Sequence, residues 1–248
     1  MLAITTDSFA GYGLDHTFKL IKKADLDGVE VVIRHGEFDA QNADYLKELS
    51  ERHRLPIVAL SMQVEMNAKK AQRAVALAEQ VGIPLITITP PGIFDFNYKK
   101  WLKETAPSLR RRKKVKIALV NPPAKMIFGI FPKYAYNNIY ELKQFDDIAF
   151  DTSNIVGRTE PLLEIYSILK SKIHYVHLSN VNHEQTHTLL ESGSVPLESF
   201  LTRLAREKFE GILALKFNSK ALGLGNDEKV LENLESCKKF VAKYFREE

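Results

Sequence analysis

A single cysteine, Cys237, stands in 248 residues. That excludes an intramolecular disulfide and any zinc site built on cysteines, and leaves Cys237 as a small residue on a helix face. No uninterrupted apolar run approaches the length of a membrane span, so no membrane partner is expected. Met1 to Thr6 lacks a basic stretch followed by an apolar one, so no secretory signal is read there and the cytoplasm is the expected location. Neither sign of charge dominates. Lys and Arg number 35 against 31 Asp and Glu, and a formal net charge of +4 is too weak to argue for nucleic acid. No G-x-G-x-x-G follows the first β-like run, which counts against a dinucleotide-binding open sheet. No linker or composition break interrupts the chain, and 1–248 is read as one domain.

What is present is an alternation. Continuous apolar runs occur at Leu2 to Thr5, Val29 to Ile33, Pro56 to Leu60, Leu85 to Thr89, Val115 to Val120, Ile148 to Phe150, Ile173 to Leu178 and Gly211 to Phe217. Unbroken apolar runs fit parallel strands buried on both faces. Helical spacing falls between them, as in Leu14, Phe18 and Ile21, or Ala71, Ala74, Val75 and Ala78. Asn67 reads as an N-cap, and Pro161 and Pro196 as first-turn prolines. Eight strands alternating with about eight helices predict an α/β fold, a single (β/α)8 TIM barrel, for which about 250 residues is typical.

In such a barrel the chemistry sits at the C-terminal strand ends. Read in order, these carry Thr5, Thr6 and Asp7; Glu30, Arg34 and His35; Ser61 and Gln63; Thr89 and Pro90; Val120 and Asn121; Asp151, Ser153 and Asn154; His177, Ser179 and Asn180; Lys216 and Asn218. A polar rim on apolar strands points to a small polar ligand such as a sugar or sugar phosphate.

Five segments carry a resemblance: Asp27-Gly-Val-Glu30; Ala118-Leu-Val-Asn-Pro-Pro123; Phe150-Asp-Thr-Ser-Asn154; Val176-His-Leu-Ser-Asn180 with His187 before Glu191-Ser-Gly-Ser194; and Phe209-Glu-Gly-Ile-Leu-Ala-Leu-Lys216. In this order and spacing they resemble the xylose isomerase-like barrel superfamily, which includes sugar phosphate isomerases and epimerases, inosose dehydratases and endonuclease IV of AP endonuclease family 2. The resemblance implies a divalent metal held by Glu on strand five, Asp on strand six, His on strand seven and Glu on strand eight. Asp151 and His177 match. The two glutamates fall at Val120 and Lys216, and a histidine often found three residues after the strand-six Asp is Asn154.

Hard cations want several carboxylate oxygens. Here one carboxylate and one imidazole remain, and an ammonium stands where the cation would sit. At ~4 Å and an effective dielectric near 20, charges of +1 and +2 repel by about 8 kcal/mol. No metal and no cofactor are therefore expected, with Lys216 paired to Asp151 instead.

The candidate catalytic residues are Asp151, His177 and Lys216; the candidate ligand-binding residues are Glu30, Arg34, His35, Asn121, Asn154 and His187. Alternatives stay open at each. Lys216 is a Schiff-base or general-base lysine, or one half of a structural ion pair. His177 is an acid/base group or a hydrogen-bonded rim histidine. Arg34 and His35 clamp an anion or are solvated, and Glu30 orients a neighbour or bridges to Arg34 or Lys216. The expected activity is that of an isomerase or epimerase working without metal; the alternatives are a non-catalytic binding or regulatory protein and, least favoured, an endonuclease IV-like repair protein. The basic run Arg110 to Lys114 is placed at a helix end on the face opposite the mouth, as a solvated cluster, so nucleic acid is disfavoured. A homo-oligomer is left open. The apolar, proline-containing stretch Asn121 to Asn138 is either a lid over the mouth or a loop packed on the rim.

Overall fold

The structure is a computed structural model that describes residues 1–34, 36–62, 67–112, 115–183 and 185–246, without the side chains of 110–112. His35, Gln63 and the side chains of the basic run Arg110 to Lys114 lie outside the described residues. Eight parallel strands close into a barrel: β1 (Leu2–Thr5), β2 (Gly28–Ile33), β3 (Ile57–Met62), β4 (Leu85–Ile88), β5 (Lys116–Val120), β6 (Ile148–Asp151), β7 (Ile173–Leu178) and β8 (Ile212–Leu215). Each strand pairs with its neighbours in sequence, and β8 pairs with β1 through Leu2–Leu213 and Ile4–Leu215 to complete the ring. All eight apolar runs are strands, two with the bounds expected and the rest with ends moved by one or two residues.

Helices cover the outside. Leu14–Lys23, Ala43–His53 and Ala68–Val81 follow the first three strands. Asn67 caps the third of these by accepting from the Lys70 amide at 2.9 Å, as its position before the apolar stripe requires. Phe18, Ile21, Leu46, Leu49, Ala71 and Ala74 are buried against the outer strand faces. Leu197–Arg206 and the closing helix Asp227–Tyr244 do the same on the far side, and Cys237 is buried on that last helix.

The side-chain period of two then decides what lies inside the barrel. Ala3, Gly28, Ala59, Leu85, Ala118, Ala149, Tyr175 and Ala214, one from each strand, face inward; Ala3 pairs with Gly28 and Ala214, and Ala149 with Tyr175. Most form one buried cluster, in which small residues leave room for the Tyr175 ring. Gly28 belongs there because a Cβ at that point would lie 2.6 Å from Val58 Cγ1 and 3.1 Å from the Pro56 carbonyl. Two residues further along the strands the inward positions become Glu30, Ser61, Thr87, Val120, Asp151, His177 and Lys216. The polar floor of the mouth is thus one layer above an apolar plug.

Candidate active site

Glu30 on β2 is fully buried. Its Oε1 accepts from Thr87 Oγ1 at 2.8 Å, and its Oε2 lies 2.8 Å from His177 Nε2. Burial works against the charge on Glu30, but His177, Thr87 and Lys216 outweigh it and hold the carboxyl below its usual range. An ionised Glu30 needs a donor, so a proton sits on His177 Nε2. His177 Nδ1 then faces Asp151 Oδ2 at 3.9 Å, buried and without a hydrogen-bond partner.

Asp151 ends β6 and caps the short helix Thr152–Val156, with Oδ1 accepting from the Asn154 amide at 3.0 Å. Its Oδ2 accepts from Lys216 Nζ at 2.9 Å and lies 3.2 Å from His187 Nε2. Burial would raise the Asp151 carboxyl, but Lys216, His187 and His177 hold it well below the carboxylate range. Burial would likewise lower Lys216, but Asp151, then Glu30 and Asp7, push it above the ordinary lysine value. Lys216 is therefore an ammonium, not a neutral amine.

Above this array opens a cavity of about 480 Å³, within the size range of small-ligand sites. His177, His187, Lys216, Asn121 and Asn154 line it, together with Ser153 and Thr89. His187 is the more accessible histidine, its side chain 21% exposed against 2% for His177. It stands at φ +58°, a backbone region uncommon for a residue with a Cβ.

Five of the candidate residues converge here, but two of them serve the frame. Asn121 joins β5 to β6: its Nδ2 donates to the Asp151 carbonyl at 3.0 Å and its Oδ1 accepts from the Asp151 amide at 2.6 Å. Asn154 Nδ2 donates to the Asn121 carbonyl at 2.9 Å. Glu30 does not line the cavity; it orients a neighbour, holding His177 from below at 2.8 Å. Arg34 does not line it either. Its guanidinium turns to Asp7 at 2.7 Å and Glu37 at 3.0 Å, outside the mouth cavity, because two carboxylates lie within its reach. Sequence reasoning missed Thr87, whose signal was its inward parity with Glu30. It also missed Lys125 and Tyr134, which line the cavity from the segment after β5.

The xylose isomerase-like TIM barrel family model matches residues 18–240. The chain belongs to the xylose isomerase-like TIM barrel family. An uncharacterised protein of Mycobacterium leprae (strain TN) is 26% identical over 129 residues, which cover 48% of this chain and 46% of that one. The match thus spans about half the length of that curated relative.

Among solved structures, a D-tagatose 3-epimerase-like protein superposes with a TM-score of 0.76 at 17% identity, over 98% of this chain and 97% of the other. The D-allulose 3-epimerase of a Methylomonas species, in complex with D-allulose, gives 0.70 at 12% identity, over 98% and 96%. The IOLI protein with a bound zinc atom gives 0.72 at 16% identity, over 98% and 99%. At these identities the likeness shows the fold.

The residues of this mouth do not fit the divalent metal of the family. Val120 offers no ligand atom. The Lys216 ammonium occupies the Asp151 oxygen a cation would need. Among the described residues no group of three or more His, Cys, Asp or Glu is arranged to hold an ion.

Proposed function

We propose that residues 1–248 form one barrel domain that binds a sugar or sugar phosphate in its mouth and acts on it as an isomerase or epimerase by proton transfer, without a divalent metal. The observation that carries this is Lys216 Nζ placed 2.9 Å from Asp151 Oδ2 at the floor of an open cavity lined by both polar and apolar side chains. The epimerases of the same fold, one of them in complex with D-allulose, support the ligand class.

Taking a proton from a sugar carbon and returning one to the neighbouring carbon (isomerisation) or to the other face of the same carbon (epimerisation) needs a group that takes and gives back a proton and a group that steadies the oxygen gaining negative charge. Lys216, held charged by Asp151, suits the second role. Its charge disfavours the Schiff-base and general-base roles, which need a neutral amine. His187 suits the first role better than His177 does. It borders the cavity, and with Nε2–H donated to Asp151 its Nδ1 is the basic nitrogen. His177, held by Glu30 at 2.8 Å, is buried beneath Asp151 and has less access to a ligand. The cytoplasm is the setting this activity assumes.

The test is turnover across a panel of ketoses, aldoses and their phosphates, with and without chelator. Turnover indifferent to chelator, and reduced by roughly 100-fold or more in Lys216→Met, is the expected result. Turnover that appears only with added metal would overturn it.

A second reading is ligand binding without turnover. It is favoured by the mutual neutralisation of Lys216 and Asp151, which leaves proton abstraction to histidines. A sugar phosphate that raises the melting temperature while nothing on the panel turns over would decide for it.

A further inference from the structure

The segment after β5 borders the mouth through Lys125 and Tyr134 and bonds at the rim to the loop after β4. It folds as a small hairpin in which Met126–Ile127 pairs antiparallel with Phe131–Pro132. The Ile130 amide donates to the Ile127 carbonyl at 3.1 Å, closing a two-residue turn on Phe128 and Gly129. Both turn residues have positive φ, +51° and +70°. Turns of this kind favour Asn, Asp or Gly at the first position, and a phenylalanine there is strained. The strained conformation presents Phe128 to solvent with 92% of its surface exposed.

The hairpin is not alone. The Ile93 amide donates to the Lys133 carbonyl and the Ala135 amide to the Pro91 carbonyl, joining the hairpin backbone to the loop after β4. That loop exposes Phe94 and Phe96, each at 72%. Met126, Ile130 and Phe131 are more than half exposed beside Phe128. Soluble proteins seldom leave such a set uncovered without a partner. Across residues 91–104 and 123–134 the acids are Asp95 and Glu104, the latter 3.9 Å from Lys100, against Lys99, Lys100, Lys103, Lys125 and Lys133. The Asp95 carboxylate accepts from the Tyr98 amide as a helix cap.

Two features choose the occupant. The apolar tip protrudes, so it enters a soft phase more readily than it receives a helix or strand. The lysines call for negative charge, and a symmetric pairing of two copies through this patch would set like charges face to face. We propose that the hairpin tip and the loop after β4 dock this protein on an anionic phospholipid surface, with Phe128 and its apolar neighbours entering the headgroup boundary and the lysines meeting lipid phosphates. Because Lys125 and Tyr134 line the mouth cavity, docking holds the mouth beside the headgroups. The expectation of no membrane partner came from the length of apolar runs, a criterion blind to a hairpin tip.

Co-sedimentation of the full chain with vesicles of phosphatidylcholine alone, or enriched in phosphatidylglycerol, tests this. Binding to the anionic vesicles at least tenfold above the neutral ones, weakened by salt, is expected. Phe128→Asn suits the turn better than the native residue, so it keeps the fold while lowering vesicle binding by about tenfold. Replacing Lys125 and Lys133 with Glu lowers it at least as far. Equal sedimentation with both vesicle types, or Phe128→Asn binding like the native chain, would overturn the proposal. So would a solution dimer that Phe128→Asn dissociates, or tighter binding to polyglutamate than to vesicles.

Discussion

Asp151 is the residue on which the mouth turns. Fully buried, it caps a helix with one carboxylate oxygen and holds Lys216 and His187 with the other. Removing one partner of a buried pair leaves an uncompensated charge. Lys216→Met should therefore destabilise by about 3 kcal/mol, and Lys216→Met with Asp151→Asn by distinctly less, because no bare charge remains. Urea unfolding of the two variants measures this; equal losses would contradict it. The pH dependence has a definite sign. The depressed Asp151 contributes stability above its unfolded value, about 3.9, and loses it as pH falls through the folded one. The raised Lys216 contributes fully below its unfolded value, about 10.4, and loses it as pH rises through the folded one. Between about pH 5 and 9 neither group titrates, so a pH profile of turnover should show no limb belonging to Lys216. A limb in that window that vanishes in Lys216→Arg would contradict this.

At the scale of elements, the strands decide which side chains meet. The eight apolar runs were legible because parallel strands buried on both faces leave an unmistakable pattern. The parity within each strand was legible in principle, since Ala149 and Asp151, or Tyr175 and His177, alternate with outward residues. Partner choice at the rim was not. Arg34 and Glu30 sit at or near one strand end, yet Arg34 turns outward to Asp7 and Glu37 while Glu30 points inward to His177. Sequence spacing carries no record of which carboxylate an arginine will reach. The hairpin after β5 was likewise hidden, because its turn uses Phe128 where Asn would have announced it. The inward layer beneath the site makes its own prediction. Gly28→Ala forces a Cβ against Val58 and the Pro56 carbonyl, and should cost about 1–3 kcal/mol, read as a lowered urea midpoint. An unchanged midpoint would show that β2 and β3 can part at that point.

For the whole molecule, family and site point different ways. The barrel and its order of motifs place the chain among xylose isomerase-like TIM barrels across residues 18–240. The mouth keeps an aspartate and a histidine at the family's positions but sets Val120 and Lys216 where the resemblance places two glutamates. Lys216 pairs with Asp151 from an inward position of the barrel, where the resemblance places a glutamate. No described helix is long and apolar enough to cross a membrane.

In the proposed mouth Lys216, and not a metal ion, neutralises Asp151. An anomalous-scattering map from a crystal soaked with manganese and, separately, zinc tests this. No stoichiometric peak is expected near Asp151 and His177, with the Lys216 ammonium resting on the Asp151 carboxylate. A full-occupancy peak within ligand distance of Asp151 and His177, with Lys216 swung aside, would contradict it.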